Sequence, residues 1–137
     1  MKKTILTVSV VTCAILIFAS CKKSNSSPSI SGFWKGNYSV SANTSDTSLD
    51  TYGYCALLRN NGTCRFYDGA DTASASKAEG TYSYSNNAFK ATYTYAGSGN
   101  NTFSVSATVT GNTNYIQGSW GSGTNTSNGG GFYLYKQ

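Results

Sequence analysis

Few side chains in this chain could do chemistry. Its 137 residues include no histidine, the acids are Asp46, Asp50, Asp68, Asp71 and Glu79, and the cysteines are Cys13, Cys21, Cys55 and Cys64. Zinc sites gather histidine and cysteine, and nucleophilic catalysis sets a base beside the nucleophile. Neither group can be assembled here. Asp68 and Asp71, in YDGAD, are close enough in sequence for a carboxylate pair, but Asp-Gly is first a turn signal. The expectation is therefore no catalytic residue, no metal, no cofactor and no enzyme. The thiol in the most informative setting is Cys21. It follows Phe18-Ala19-Ser20 at the end of an uncharged run and precedes Lys22 and Lys23.

That setting has an order. Met1-Lys2-Lys3 is a short positive start, residues 4–18 carry no charge, and small residues come before the break. This is the pattern of a bacterial export signal. A spanning helix needs roughly 20 apolar residues, more than this run supplies. Ala19-Ser20-Cys21 resembles the lipobox of bacterial lipoproteins. The resemblance implies that residues 1–20 are removed and that Cys21 carries acyl chains, which anchor stably where a single chain holds only marginally. Residues 21–29 then form a polar tether. Lys22 and Lys23 are placed to meet anionic headgroups. The expected location is the bacterial cell envelope, lipid-anchored to the outer membrane. The lack of an acidic cluster after Cys21 favours its periplasmic side.

Removing residues 1–20 leaves one domain, residues 30–137. A chain of this size buries about 65% of its unfolded surface, enough for one modest core. Its positive residues are scattered, whereas a nucleic-acid surface needs a clustered stripe, so no nucleic-acid partner is expected.

From residue 30 onward, runs rich in Tyr, Phe, Thr and Val alternate with Asn, Gly and Ser clusters. That spacing predicts an all-β sandwich or barrel. The runs are 30–40, 49–59, 63–68, 77–84, 88–96, 102–109, 114–121 and 130–137. Eight strands joined mostly by tight turns predict an antiparallel up-and-down meander, whose closure into a barrel removes exposed edges. Alternation assigns Phe89, Ala91, Tyr93 and Tyr95 to one face, with Phe103, Val105, Ala107 and Val109 on a second strand. In the first strand it assigns Ile30, Trp34, Tyr38 and Val40. Gly32-Phe33-Trp34, Gly80-Thr81-Tyr82 and Gly118-Ser119-Trp120 each set glycine two before an aromatic. The expectation is that the ring lies over bare backbone in a curved sheet. The inward rings that could line a cavity, or fill it, are Trp34, Tyr38, Tyr82, Tyr84, Phe89, Tyr93, Phe103 and Trp120.

The Gly-x-aromatic motifs and the closing GGFYLYK resemble the lipocalin and avidin superfamily of meander barrels. More narrowly, YDGADT, EGTYSY, FKATYTY and QGSWGSG resemble small lipocalin-like lipoproteins of the Bacteroidetes type. The resemblance implies that Trp34 closes the barrel floor beneath a basic residue, a part only Lys136 can take.

Cys55 and Cys64 remain after processing. An oxidising compartment makes a disulfide the default, but RNNGT between them fits a three-residue hairpin loop with Gly62 left-handed. That register pairs Leu58 with Cys64 and Cys55 with Tyr67. It turns Cys64 inward and Cys55 outward, on the order of 10 Å apart. A disulfide tolerates Cα atoms less than roughly 7 Å apart, so bonding them requires a shifted turn.

Two functions stay open on the sequence. One is an envelope barrel binding a small apolar or aromatic ligand in its mouth. The other is a lipoprotein with a side-chain-filled barrel that holds an envelope protein or a glycan. The second would use outward Phe33, Tyr67, Tyr133 and Tyr135 and the loops 41–48 and 69–76. The anchoring expectation has a direct check. Cys21→Ala should release the protein from washed membranes. Continued pelleting of the variant, with no lipid-linked mass on the unmutated protein, would overturn it.

Overall fold

The alternation of buried and exposed positions closes on itself. In the computed structural model, which describes residues 29–40, 52–97 and 99–137, eight strands follow one another: β1 (Gly32–Tyr38), β2 (Tyr52–Leu58), β3 (Thr63–Asp68), β4 (Ser76–Ser85), β5 (Ala88–Tyr95), β6 (Thr102–Thr110), β7 (Tyr115–Ser122) and β8 (Gly130–Lys136). Each pairs antiparallel with its sequence neighbour, and β1 pairs with β8, giving a closed meander barrel. This architecture is consistent with a calycin-like fold. The expected export signal, Cys21, the expected tether through Pro28 and the loop 41–48 lie outside the described residues.

Turn chemistry fixes the register. At the β2–β3 hairpin, Gly62 takes φ 79°, its N–H donates to the Arg59 carbonyl, and the Arg59 N–H donates to Thr63. This is the three-residue loop with a left-handed glycine. Leu58 therefore faces Cys64, and Cys55 faces Tyr67. Both thiols are free and buried. Cys64 belongs to the interior. Cys55 is on the outer face yet fully covered, because the β3–β4 loop folds back over β2. A Cβ on Gly53 would strike the Ala70 backbone, and the Ala70 carbonyl lies 4.0 Å from the Cys55 sulfur. Asn86 and Asn87, both at positive φ, make the two-residue β4–β5 turn that these residue types favour.

The interior is a stack of apolar side chains. Trp34, Phe66, Phe89, Leu58, Ile116 and Leu134 are fully buried. Removing an aromatic ring of this size from water takes away roughly 200 Å² and contributes on the order of 5 kcal/mol before entropy is subtracted. Trp34 in β1 and Ile30 just before it are buried as alternation requires, but Val40 is 58% exposed. The strand ends at Tyr38, where Ser39 is buried instead, its N–H donating to the Gly131 carbonyl and its carbonyl accepting from Trp120 Nε1.

In two of the three Gly-x-aromatic motifs the glycine answers to a neighbouring backbone, while at Gly32, with φ at 135°, a Cβ would meet only the Lys136 side chain. A Cβ on Gly80 would run into the Thr92 carbonyl of β5, and one on Gly118 into the Ser106 carbonyl of β6. Gly36 meets Tyr133 of β8 in the same way. These inward glycines let adjacent strands approach where the sheet coils tightly. The glycine under Trp120 is Gly129, and the indole ring carbons occupy the place a Cβ would take.

A methyl group at Gly80 has backbone on its inner side and cannot be accommodated by a rotamer change. Gly80→Ala should lower unfolding free energy by about 2 kcal/mol or more. Urea denaturation checks this, and a loss below about 0.5 kcal/mol with an unchanged slope would contradict it.

Candidate functional site

The two ends of the barrel differ. The chain enters at the end where Trp34 lies, and that floor is closed. Trp34 Nε1 donates to the Ile30 carbonyl at 2.9 Å, and Lys136 Nζ sits 5.8 Å from the Trp34 ring centroid while donating to the Ser29 carbonyl at 3.0 Å. A basic group over a buried indole is a cation–π contact. Lys136 thus occupies the place that the lipocalin-like reading assigned to it.

The opposite end opens into a cavity of about 360 Å³. Its aromatic lining is Tyr38, Tyr54, Tyr93, Tyr95, Phe103 and Trp120, and its rim includes Asp68, Lys77 and Asn101. Of the eight rings expected to line a cavity, Tyr38, Tyr93, Phe103 and Trp120 meet here. Trp34, Tyr82, Tyr84 and Phe89 do not line it. Trp34 seals the floor. The Tyr82 hydroxyl donates to the Arg59 carbonyl in the β2–β3 turn, the Tyr84 hydroxyl donates to Asn87 in the β4–β5 turn, and Phe89 packs on Tyr82. These three crowd the floor end. The physical reason is strand direction: β4 runs from mouth to floor and β5 starts at the floor. Tyr54 and Tyr95 were missed, though the meander held the signal. The ends of odd strands and the starts of even strands share one mouth, and Tyr54 and Tyr95 fall there.

Three of the cup's phenol and indole side chains, besides Tyr93, are tied by hydrogen bonds: Tyr54, Tyr38 and Trp120. Tyr54 and Tyr93 share a hydroxyl–hydroxyl bond of 2.6 Å deep in the interior, as buried hydroxyls require. The Tyr38 hydroxyl donates to Asp68 Oδ1 at 2.8 Å. Trp120 is pinned by its bond to the Ser39 carbonyl. Asp71 is set apart from Asp68. The Ala73 N–H and the Ser74 hydroxyl donate to it, holding its carboxyl below the usual range, with Lys77 adding to the effect. It anchors the β3–β4 loop, whereas Asp68 accepts from Tyr38.

No protein family matches the chain, and neither curated proteins nor solved structures give a match.

Burial raises the phenols of Tyr54, Tyr93 and Tyr95 well above the ordinary tyrosine value. It raises Tyr38 too, where the bond to Asp68 adds to it. Burial also pushes the Cys64 thiol up to about 12. Each group binds its proton more tightly folded than unfolded. Their stabilisation is complete below the unfolded values, near 9 for the thiol and 10 for the phenols, and is lost as pH rises beyond them. Tyr54 and Tyr93 alone should each remove about 1.4 kcal/mol per pH unit above about pH 10. In an alkaline titration followed at 295 nm, the buried tyrosines should ionise only together with loss of near-ultraviolet circular dichroism. Ionisation of all eleven tyrosines near pH 10 with the fold intact would contradict this.

Proposed function

We propose that this protein is a non-catalytic, lipid-anchored module of the bacterial cell envelope that binds one small ligand in the barrel mouth. The observation that carries the reading is the aromatic cup of about 360 Å³ above a sealed floor. Its volume falls at the low end of small-molecule sites, which run from roughly 300 Å³ upward. Eight strands leave room for one small ligand when side chains do not fill the interior. Here they fill the floor half and leave the mouth open. The lining offers flat apolar faces, with hydroxyl, carboxylate and ammonium groups near the rim. That is the mixture that orients a ligand while burying its apolar part. Anchoring rests on the Ala19-Ser20-Cys21 motif, and the kinship proposed is with small lipocalin-like lipoproteins of the Bacteroidetes type.

A second reading has its own support. Tyr115, Tyr133 and Tyr135 cluster on the outer face of β7 and β8, with ring centroids 4.8 Å apart for Tyr115–Tyr135 and 5.9 Å for Tyr133–Tyr135. Tyr135 is 54% exposed. Clustered outward rings suit a glycan or protein partner.

Native mass spectrometry of the protein, gently extracted from its own host, separates the two. The cup reading expects a reproducible added mass that leaves on denaturation. A bare protein mass, together with a failure of small aromatic probes to change tryptophan emission, would overturn that reading and favour the outer face.

A further inference from the structure

The six rings of the cup form a circuit. Tyr38 meets Trp120 at 5.7 Å and 90°, Trp120 meets Phe103 at 5.8 Å and 66°, and Phe103 meets Tyr95 at 5.9 Å and 79°. Tyr95 meets Tyr93 at 6.1 Å and 82°. Tyr93 joins Tyr54 through their hydroxyls, and Tyr54 returns to Tyr38 at 5.5 Å and 66°. Successive rings linked by these ring–ring contacts are turned steeply against one another, as the walls of a box are. A ring face is the negative pole of its quadrupole. Several faces around one small space form the arrangement that holds quaternary ammonium groups.

The charged groups near the box point the same way. Asp68 faces inward at the end of β3, fixed by the Tyr38 hydroxyl. Its negative charge is felt across the cup: after burial, it contributes to the raised phenols of Tyr38, Tyr93 and Tyr95. Lys77 also borders the cavity and is exposed, as Asp68 is, but it pairs with Tyr67 on the outer face of the strands and its charge acts on Asp71 in the loop. A rim carboxylate offers any ligand a hydrogen-bond acceptor, but only a cation gains net Coulomb attraction to it together with the attraction of the ring faces.

Resting on the proposed ligand-binding role, we propose that the cup recognises a quaternary or methylated ammonium group, enclosed by the six aromatic rings with Asp68 as its counter-ion. The group could come free in solution or as part of a phosphocholine-type headgroup, whose phosphate would lie toward Lys77.

The test uses full-length protein in detergent and follows tryptophan emission and calorimetric heat. Choline is compared with 3,3-dimethylbutan-1-ol, its neutral carbon isostere. Choline should bind roughly ten-fold tighter, the scale of a partly desolvated cation–π site. Asp68→Asn, which keeps a side-chain oxygen to accept from the Tyr38 hydroxyl, should bring the ratio toward one. Phosphocholine binding tighter than choline would support the headgroup source, and equal or weaker binding the free ammonium. Equal binding of choline and its isostere would overturn the ammonium proposal and leave the ligand-binding role standing. The same holds if only a neutral aromatic probe binds. Failure of every probe would overturn both.

Discussion

An eight-stranded barrel encloses a fixed interior, and everything else in this molecule depends on how that interior is filled. The closing β1–β8 ladder leaves no edge strand exposed, so the ladder bonds are satisfied whatever lies inside. What the sequence controls is the distribution of volume along the axis. At the floor end Trp34, Phe89, Ile116 and Leu134 leave nothing open, and the Lys136 ammonium covers the indole from above. Toward the mouth the rings brace one another at their edges and so enclose space. Tight coiling makes this possible. Inward glycines at 36, 80 and 118 let neighbouring strands come close, which narrows the barrel where no side chain is present to hold it open.

The cup is stiff for the same reason that it is closed below. The Tyr54–Tyr93 hydroxyl pair sits at its base, with Phe66 stacked on Tyr93 at 4.1 Å. Either phenol without the other would leave a buried hydroxyl unpaired, at a cost of about 1–3 kcal/mol. Trp120 is held on three counts: Tyr38 and Phe103 on its sides, Gly129 beneath, and the Ser39 carbonyl on its N–H. A ligand entering such a site loses less free energy to ordering side chains than it would in a loosely packed one.

Much of the fold was legible because side chains alternate with period two and the turns carry their own chemistry. RNNGT alone set the β2–β3 register and with it the separation of Cys55 from Cys64. What alternation cannot supply is depth. It says that Trp34, Tyr82, Tyr84 and Phe89 point inward, but not that they point into the filled end. Tyr54 was hidden by its own strand, since YGYCALL has apolar residues on both faces. The burial of Cys55 was hidden too, because it depends on a loop folding back rather than on strand period. Val40 continued the alternation in sequence only; the strand stops two residues earlier, once Ser39 turns to cap β8 and Trp120.

Polarity of the barrel bears on where its ligand would come from. The described residues begin at the floor, where Lys136 donates to the Ser29 carbonyl, so the mouth opens at the opposite end from Ser29. On the proposed anchoring, about eight residues separate the lipidated cysteine from that point, a reach of at most ~28 Å fully extended. Were the chain anchored as proposed, a tether joined at the floor would let the mouth face away from the membrane that holds it. A cup presented in this way meets solutes of the surrounding compartment before it meets headgroups of its own bilayer. A water-borne ammonium compound is then the simpler occupant than a lipid in the same leaflet.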